Sequence, residues 1–218
     1  MPRKPRLEYA GAVYHVTARG ARQAAIFIDD DDRVALLKIL ACALRELDGQ
    51  VFAFCLMGNH YHFVLQTREA NLSTLMRRVN SLYGMRFNQR HARFGHVFDG
   101  RFNAVHVDRD AYLLEACRYV DLNPVRAALV ERPEQWRWTS YRAHVGSIRS
   151  PGWLATTEVH GVLTGRTPKD PAQIAQAQHL YAKWVASGRE VRLWEESLRQ
   201  RIYLGDEAFI ERVKRLSG

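Results

Sequence analysis

No Cys-x-x-Cys pair occurs anywhere in this chain. Its three cysteines, Cys42, Cys55 and Cys117, are odd in number and far apart, so neither a disulfide framework nor a zinc ribbon is supported. They read as small buried residues of a reduced, cytosolic protein. No uninterrupted apolar span reaches the roughly eighteen residues of a membrane helix. The opening Met-Pro-Arg-Lys-Pro-Arg has no apolar core behind it, which does not fit a signal peptide. Internal repeats and low-complexity tracts are also missing. Acidic residues are scarce relative to basic ones: 23 Asp and Glu against 32 Lys and Arg, a net charge of +9. A balance this basic favours a polyanionic partner, nucleic acid before a membrane surface.

What is present supports a folded protein. An apolar content of 47% over 218 residues allows one good-sized domain, or one with a smaller appendage. Residues 2–6 form a short basic arm. Ala12 to Ala18 is rich in β-formers and reads as a first strand, ended by Arg19-Gly20. Asp29 to Asp32 suit a helix N-terminus, and apolar residues from Val34 to Leu47 recur at helical intervals. Val51 to Met57 and His60 to Gln66 read as a hairpin turning at Gly58-Asn59, or as one long strand kinked at Gly58. A second helix is expected from about Asn71 to Arg90, with Leu72, Leu75, Met76, Val79, Leu82 and Phe87 buried. Val97 to Val107 is expected as a fourth strand, and Tyr112 to Leu122 as a third helix capped by Asp108 or Asp110. The order β-α-β-β-α-β predicts an α+β fold: a ferredoxin-like split βαβ antiparallel sheet with helices on one face. The aromatic, basic segment from Arg132 to Tyr141 is expected to fold back on the core. Helices are expected from Pro171 to Ala186 and from Arg189 to Leu216, forming a helical C-terminal extension over 146–218.

Two stretches carry candidate chemistry. Met57-Gly58-Asn59-His60-Tyr61-His62-Phe63 places two histidines one residue apart. On a strand they share a face, with Cα atoms about 6–7 Å apart, so one divalent ion between them could take a nitrogen from each. Two histidines on the polar face of a half-buried strand would give the same pattern. In the third helix Tyr119 and Asn123 share a face, with Glu115 one turn earlier. That suits a nucleophile beside a metal ligand. It equally suits a packed tyrosine followed by an Asn-Pro helix stop.

Together, Gly58-Asn59-His60-Tyr61-His62-Phe63-Val64 and Arg118-Tyr119-Val120-Asp121-Leu122-Asn123-Pro124-Val125-Arg126-Ala127 closely resemble the REP-associated tyrosine transposases. These are relatives of the IS200/IS605 single-tyrosine transposases, within the HUH endonuclease superfamily. Tyr14 to Gly20 and Gly100-Arg101-Phe102-Asn103 match further, and the resemblance spans roughly residues 5–145. Gly58 departs from it, standing where proline is expected.

The resemblance implies an HUH domain over 1–145 that nicks and joins single-stranded DNA at hairpin or repeat sites. His60 and His62 would hold a divalent cation, with Asn123 as third ligand. Tyr119 would attack a DNA phosphodiester, leaving a 5′-phosphotyrosine and a free 3′-OH. By ligand softness alone two imidazoles favour zinc, copper or nickel; the resemblance points instead to Mg²⁺ or Mn²⁺. The expected DNA-binding residues are Arg3, Lys4 and Arg6 in the arm, Arg19, then Arg77, Arg78, Arg86 and Arg90 on the second helix, with Arg101 and Arg126. Arginine suits phosphate through its bidentate fork. The expected setting is cytoplasmic and nucleoid-associated, as monomer or homodimer, with single-stranded or hairpin DNA as partner and no membrane contact. Two other readings are a non-catalytic nucleic-acid binder and a metal-dependent hydrolase using water.

Overall fold

The computed structural model describes residues 6–188 and 203–216. Arg3 and Lys4, and the stretch 189–202 expected to be helical, lie outside the described residues. The chain runs β1 (Val13–Arg19), α1 (Asp30–Glu46), β2 (Gly49–Leu56), β3 (His60–Thr67), α2 (Leu72–Arg90), β4 (Asn103–Val107) and α3 (Arg109–Asp121). Then come α4 (Asn123–Arg126), α5 (Tyr141–His144), α6 (Thr156–Thr164), α7 (Pro171–Ser187), β5 (Tyr203–Leu204) and α8 (Glu207–Leu216). The sheet order is β2-β3-β1-β4-β5. Each neighbouring pair among the first four strands is antiparallel, and β5 adds to β4 in parallel. This is the split βαβ arrangement, in which α1 carries the chain from β1 across β3 to β2.

Alternation along the strands sorts the side chains onto two faces. On the first face Tyr14, Val16, Leu56, Tyr61, Phe63 and Leu65 pack against α1 and α2. The buried stripe of α1 is Ala35, Leu36, Leu40, Ala43 and Leu44, with Val34 left exposed. That of α2 is Leu72, Leu75, Met76, Val79, Tyr83 and Phe87. Tyr83 takes the inward place expected for Leu82, because its hydroxyl can donate to the Ile26 carbonyl while the ring stays buried. The aspartate run opens α1 as expected: the Asp29 carboxylate accepts from the Asp32 amide at 3.2 Å.

The second face is covered as well. Val13, Cys55, Met57, Val64, Val105 and Val107 pack against Leu113, Ala116, Cys117 and Val120 of α3, with Val159 of α6 and Tyr181 and Val185 of α7 behind them. Residues on both sides of the expected boundary at 145/146 contribute to this core. The segment around Trp138 does fold back. Leu56 N donates to Trp138 O at 2.9 Å, and Cys55 bridges to Thr139, which covers the outer edge of β2.

Three boundaries differ from the sequence expectation. Strand β4 starts only at Asn103: Gly100 adopts φ 71°, which bends the chain, and Phe98 reaches the sheet through a single bridge to Gly20. Arg101 therefore precedes the strand rather than lying on it. The third helix begins three residues early, at Arg109, where the Asp108 side chain caps the Asp110 amide at 3.1 Å. In the last segment Tyr203–Leu204 forms a short strand, and helix α8 begins only after Asp206.

Candidate active site

Strand register brings the motif residues together. Thr17 pairs with His62 on one side and with Asn103 on the other, while His15 pairs with Val64 and Val105. His15, Thr17, His62 and Asn103 therefore point to the same, second face, where α3 adds Tyr119. With Arg6 they line a cleft of about 440 Å³. The Tyr119 ring centroid lies 6.2 Å from that of His62 and 5.7 Å from that of His15, both edge-on. His60 and His62 have centroids 5.0 Å apart with nearly perpendicular planes. The hairpin between β2 and β3 closes at Gly58-Asn59, through Met57 N to His60 O at 2.9 Å. Gly58 is not in the left-handed region, and a Cβ there would meet nothing within 4 Å. The missing proline is thus not dictated by space.

Each motif imidazole has one nitrogen held by the protein. The Asn59 amide nitrogen donates to Gln23 O at 3.1 Å, which turns Oδ1 toward His60 Nδ1 at 2.7 Å. His60 is thereby the Nδ1–H tautomer. His62 Nδ1 lies 3.0 Å from His15 Nε2. In both rings Nε2 is the nitrogen left for a ligand, the pattern of metal-binding histidines oriented by a partner on the other nitrogen. Burial, reinforced by Arg19, lowers the pKa of His60 to about 4. Burial lowers His62 well below the usual value, helped by His15, His60 and Arg19. Both are neutral at physiological pH, as a metal ligand must be. The donor set therefore fits a divalent cation.

Asn123 stands at the start of α4, one turn past Tyr119. Its amide nitrogen donates to Tyr119 O at 3.2 Å and Val120 O at 3.5 Å, so any ligation would use Oδ1. Among the described residues no group of three His, Cys, Asp or Glu is placed to hold a metal. The other tyrosines near the motif are poorly placed. Tyr61 and Tyr14 point to the first face and are fully buried, and the Tyr61 hydroxyl donates to Asn80 at 2.6 Å.

The described residues among those expected to bind DNA are spread over both faces of the sheet. Arg6 lines the cleft with its guanidinium 3.7 Å from the Phe102 ring centre, where burial and then the charge of Arg101 lower its pKa. Arg126 stacks 4.8 Å over Tyr119, and Arg19 pairs across the sheet with His60. Arg77, Arg78 and Arg86 are exposed on α2, which packs on the opposite face of the sheet from Tyr119. Arg78 there pairs with Glu46 at 2.5 Å. Arg90 is held by the protein's own carboxylates, at 2.7 Å from both Asp29 and Asp32. Arg101 borders a second open cleft of about 500 Å³ between α2 and the 95–101 loop, with Asn80, Met85, Asn88 and Phe98.

His15 and Asn59 were not singled out from the sequence. Strand alternation marks His15 as sharing a face with Thr17, but only the register with β3 brings it to His62. Asn59 reads as a turn residue, and its second task depends on Gln23, distant in the chain.

The model of the family described as transposase IS200-like matches residues 8–123, more than half of the chain. No curated protein matches the sequence. A solved structure of a REP-associated tyrosine transposase bound to a REP hairpin is similar in fold, with a TM-score of 0.58 at 16% identity, covering 71% of this chain and 92% of that one. A candidate transposase from Deinococcus radiodurans R1 aligns with a TM-score of 0.39 at 13% identity, over 62% of this chain and 98% of that one. Among the described residues no helix is long and apolar enough to cross a membrane. With the family model spanning both the His-x-His strand and the tyrosine helix, this chain belongs to the IS200-like transposases.

Proposed function

We propose that the protein nicks and rejoins single-stranded DNA at hairpin-bearing sites through a 5′-phosphotyrosine on Tyr119. The observation that carries this is the shared cleft: Tyr119 stands beside His62 and His15, at the one face where both motifs meet. Attack of Tyr119 Oη on phosphorus forms the P–O(Tyr) bond and breaks the bond to the 3′-oxygen. The phenol proton ends on that oxygen, giving a free 3′-OH. The phosphodiester is conserved on the enzyme, so attack by a 3′-OH reverses the step and no nucleotide cofactor is needed.

His60 and His62, through Nε2, with Asn123 Oδ1, would hold Mg²⁺ or Mn²⁺. A cation there supplies Lewis-acid neutralisation of the scissile phosphate and orients it for in-line attack. The protein's own residues do the rest. His15 and Asn59 fix the ring orientations. Arg126 over Tyr119 and Arg6 in the cleft offer charge to the phosphates on either side. The bound REP hairpin of the fold relative supports hairpin DNA as the substrate class.

The test is a denaturing gel of the protein with labelled hairpin-bearing oligonucleotide and Mn²⁺. A protein–DNA adduct that resists denaturation is expected, together with a free 3′-OH fragment. Cleavage without adduct would indicate a hydrolase using water, and binding without cleavage a non-catalytic binder.

A further inference from the structure

Helices α5 to α7 lie beyond the residues that the family model matches, yet α7 grips the helix that carries Tyr119. Three residues of α3 meet it in succession. Trp184 Nε1 reaches Leu114 O at 3.5 Å. Arg118, buried and paired with Glu115 at 2.5 Å, lays its guanidinium 4.2 Å from the Trp184 ring centre and reaches Trp184 O at 3.4 Å. Asp121, with no exposed surface, accepts from Tyr181 Oη at 2.8 Å on one oxygen and from Ser140 Oγ at 2.6 Å on the other. The Ser140 hydroxyl also accepts the Phe54 amide of β2 at 3.0 Å. At the end of α7, Gly188 makes room for Arg118: a Cβ there would stand 2.4 Å from its Cδ.

At 100° per residue, Leu114, Arg118 and Asp121 share one face of α3, and Tyr119 projects roughly 140° from Leu114. The grip is therefore on the back of the nucleophile's helix. Apolar packing alone would hold α3 to the sheet but permit small slides and rotations. Two directional bonds to one carboxylate, from α7 and from the loop bound to β2, fix its rotation and height. Burying a carboxylate is costly for stability, so the arrangement is better explained by placement than by strength.

We infer that α7 and the Ser140 loop form a brace that sets the height of Tyr119 over the cleft, with Asp121 and Tyr181 as its positioning residues. This rests on the reading of Tyr119 as the nucleophile. Misplacing a reacting group by about 1 Å can cost a hundred-fold in rate, so a loosened brace should be visible in the chemical step.

The experiment uses the full chain with Tyr181→Phe, which deletes one oxygen and keeps the ring, and Asp121→Asn. Asp170→Ala serves as control, since it removes the N-cap of α7 without touching α3. Single-turnover cleavage of a hairpin-bearing strand should fall about ten-fold or more in Tyr181→Phe and Asp121→Asn, with hairpin affinity unchanged within about two-fold. A 3-fluorotyrosine placed at 119 should give a broadened or split ¹⁹F signal in the same variants. Asp170→Ala should lower the melting temperature and move neither readout. Cleavage and fluorine signal both unchanged in Tyr181→Phe overturn the brace, even if Asp121→Asn fails to fold. If the parent protein forms no adduct, the nucleophile reading fails instead, and the fluorine signal alone then decides whether α7 positions residue 119.

Discussion

The two faces of the sheet are built on different terms. The first, under α1 and α2, is mostly apolar, with Thr67 and His106 its buried polar strand residues, and the buried Asp32 at the start of α1 is fully engaged. Ile28 N donates to it at 2.8 Å, Arg90 at 2.7 Å and His91 at 3.0 Å, tying the start of α1 to the end of α2. The second face, under α3 and α7, carries His15, His62, Asp121 and His144 among its buried groups. Each polar group there has geometry to keep, and burial holds the imidazoles neutral. The first face is mainly a scaffold; the second gives up apolar packing to hold the residues proposed as metal ligands and nucleophile. Substitutions on the two faces should therefore separate stability from activity.

The sharpest break in activity is expected at the histidine pair. His60→Ala and His62→Ala should each lower cleavage by about 10²–10³-fold, the range for removing one group that stabilises transition-state charge. His15→Ala and Asn59→Ala should lower metal affinity about 10–100-fold by freeing the rings they orient. Asn123→Ala should be milder, since water can replace an amide oxygen. Calorimetric titration of Mn²⁺ into each variant checks the ranking, and equal affinity throughout would remove the proposed site.

On the scaffold face the order reverses. Asp32→Ala leaves the Ile28 amide and His91 without their buried partner, while Arg90 keeps Asp29, and should cost about 1–3 kcal/mol of stability. Cleavage per folded molecule should stay within about two-fold of the parent. Chemical denaturation alongside single-turnover cleavage measures both quantities.

Acid should weaken the fold through histidines that it keeps neutral. Burial lowers His106 to about 4 and His144 to about 3. Each folded value lies below the unfolded one of about 6.5, so the unfolded chain binds more protons between them. Stability is therefore fully present above about pH 6.5 and is lost as pH falls toward the folded values. The denaturant midpoint should drop from pH 7 to pH 5, and His144→Gln should flatten that drop.

The smallest effects concern the arginines. Replacing Arg6, in the cleft, and Arg126, over Tyr119, should flatten the log–log salt dependence of strand binding by roughly 0.7 for each phosphate they neutralise. Arg77→Ala and Arg86→Ala, on the far face, should change it less. An equal change from both pairs would mean that the strand also crosses α2.

Much of this was legible in the chain. Alternation and helical spacing located β1, β2, β3, α1, α2 and α3, and the His-x-His and Tyr119 motifs marked the second face. What was not legible depended on register and long-range partners. His15 and His62 are 47 residues apart and Asp121 and Tyr181 are 60 apart, and neither partner signals the other locally. Strand β5 has two residues and exists only because β4 offers it an edge. The far-side position of the α2 arginines was equally hidden, since charge on a helix says only that it is exposed.

The most direct test maps the adduct itself. Protein trapped with a hairpin-bearing strand and Mn²⁺ is digested by nuclease and protease, and the modified peptide is sequenced by mass spectrometry. The account predicts a 5′-nucleotide phosphate on Tyr119, and no adduct from Tyr119→Phe that still binds the hairpin. An adduct on another residue, or one that persists in Tyr119→Phe, would contradict it.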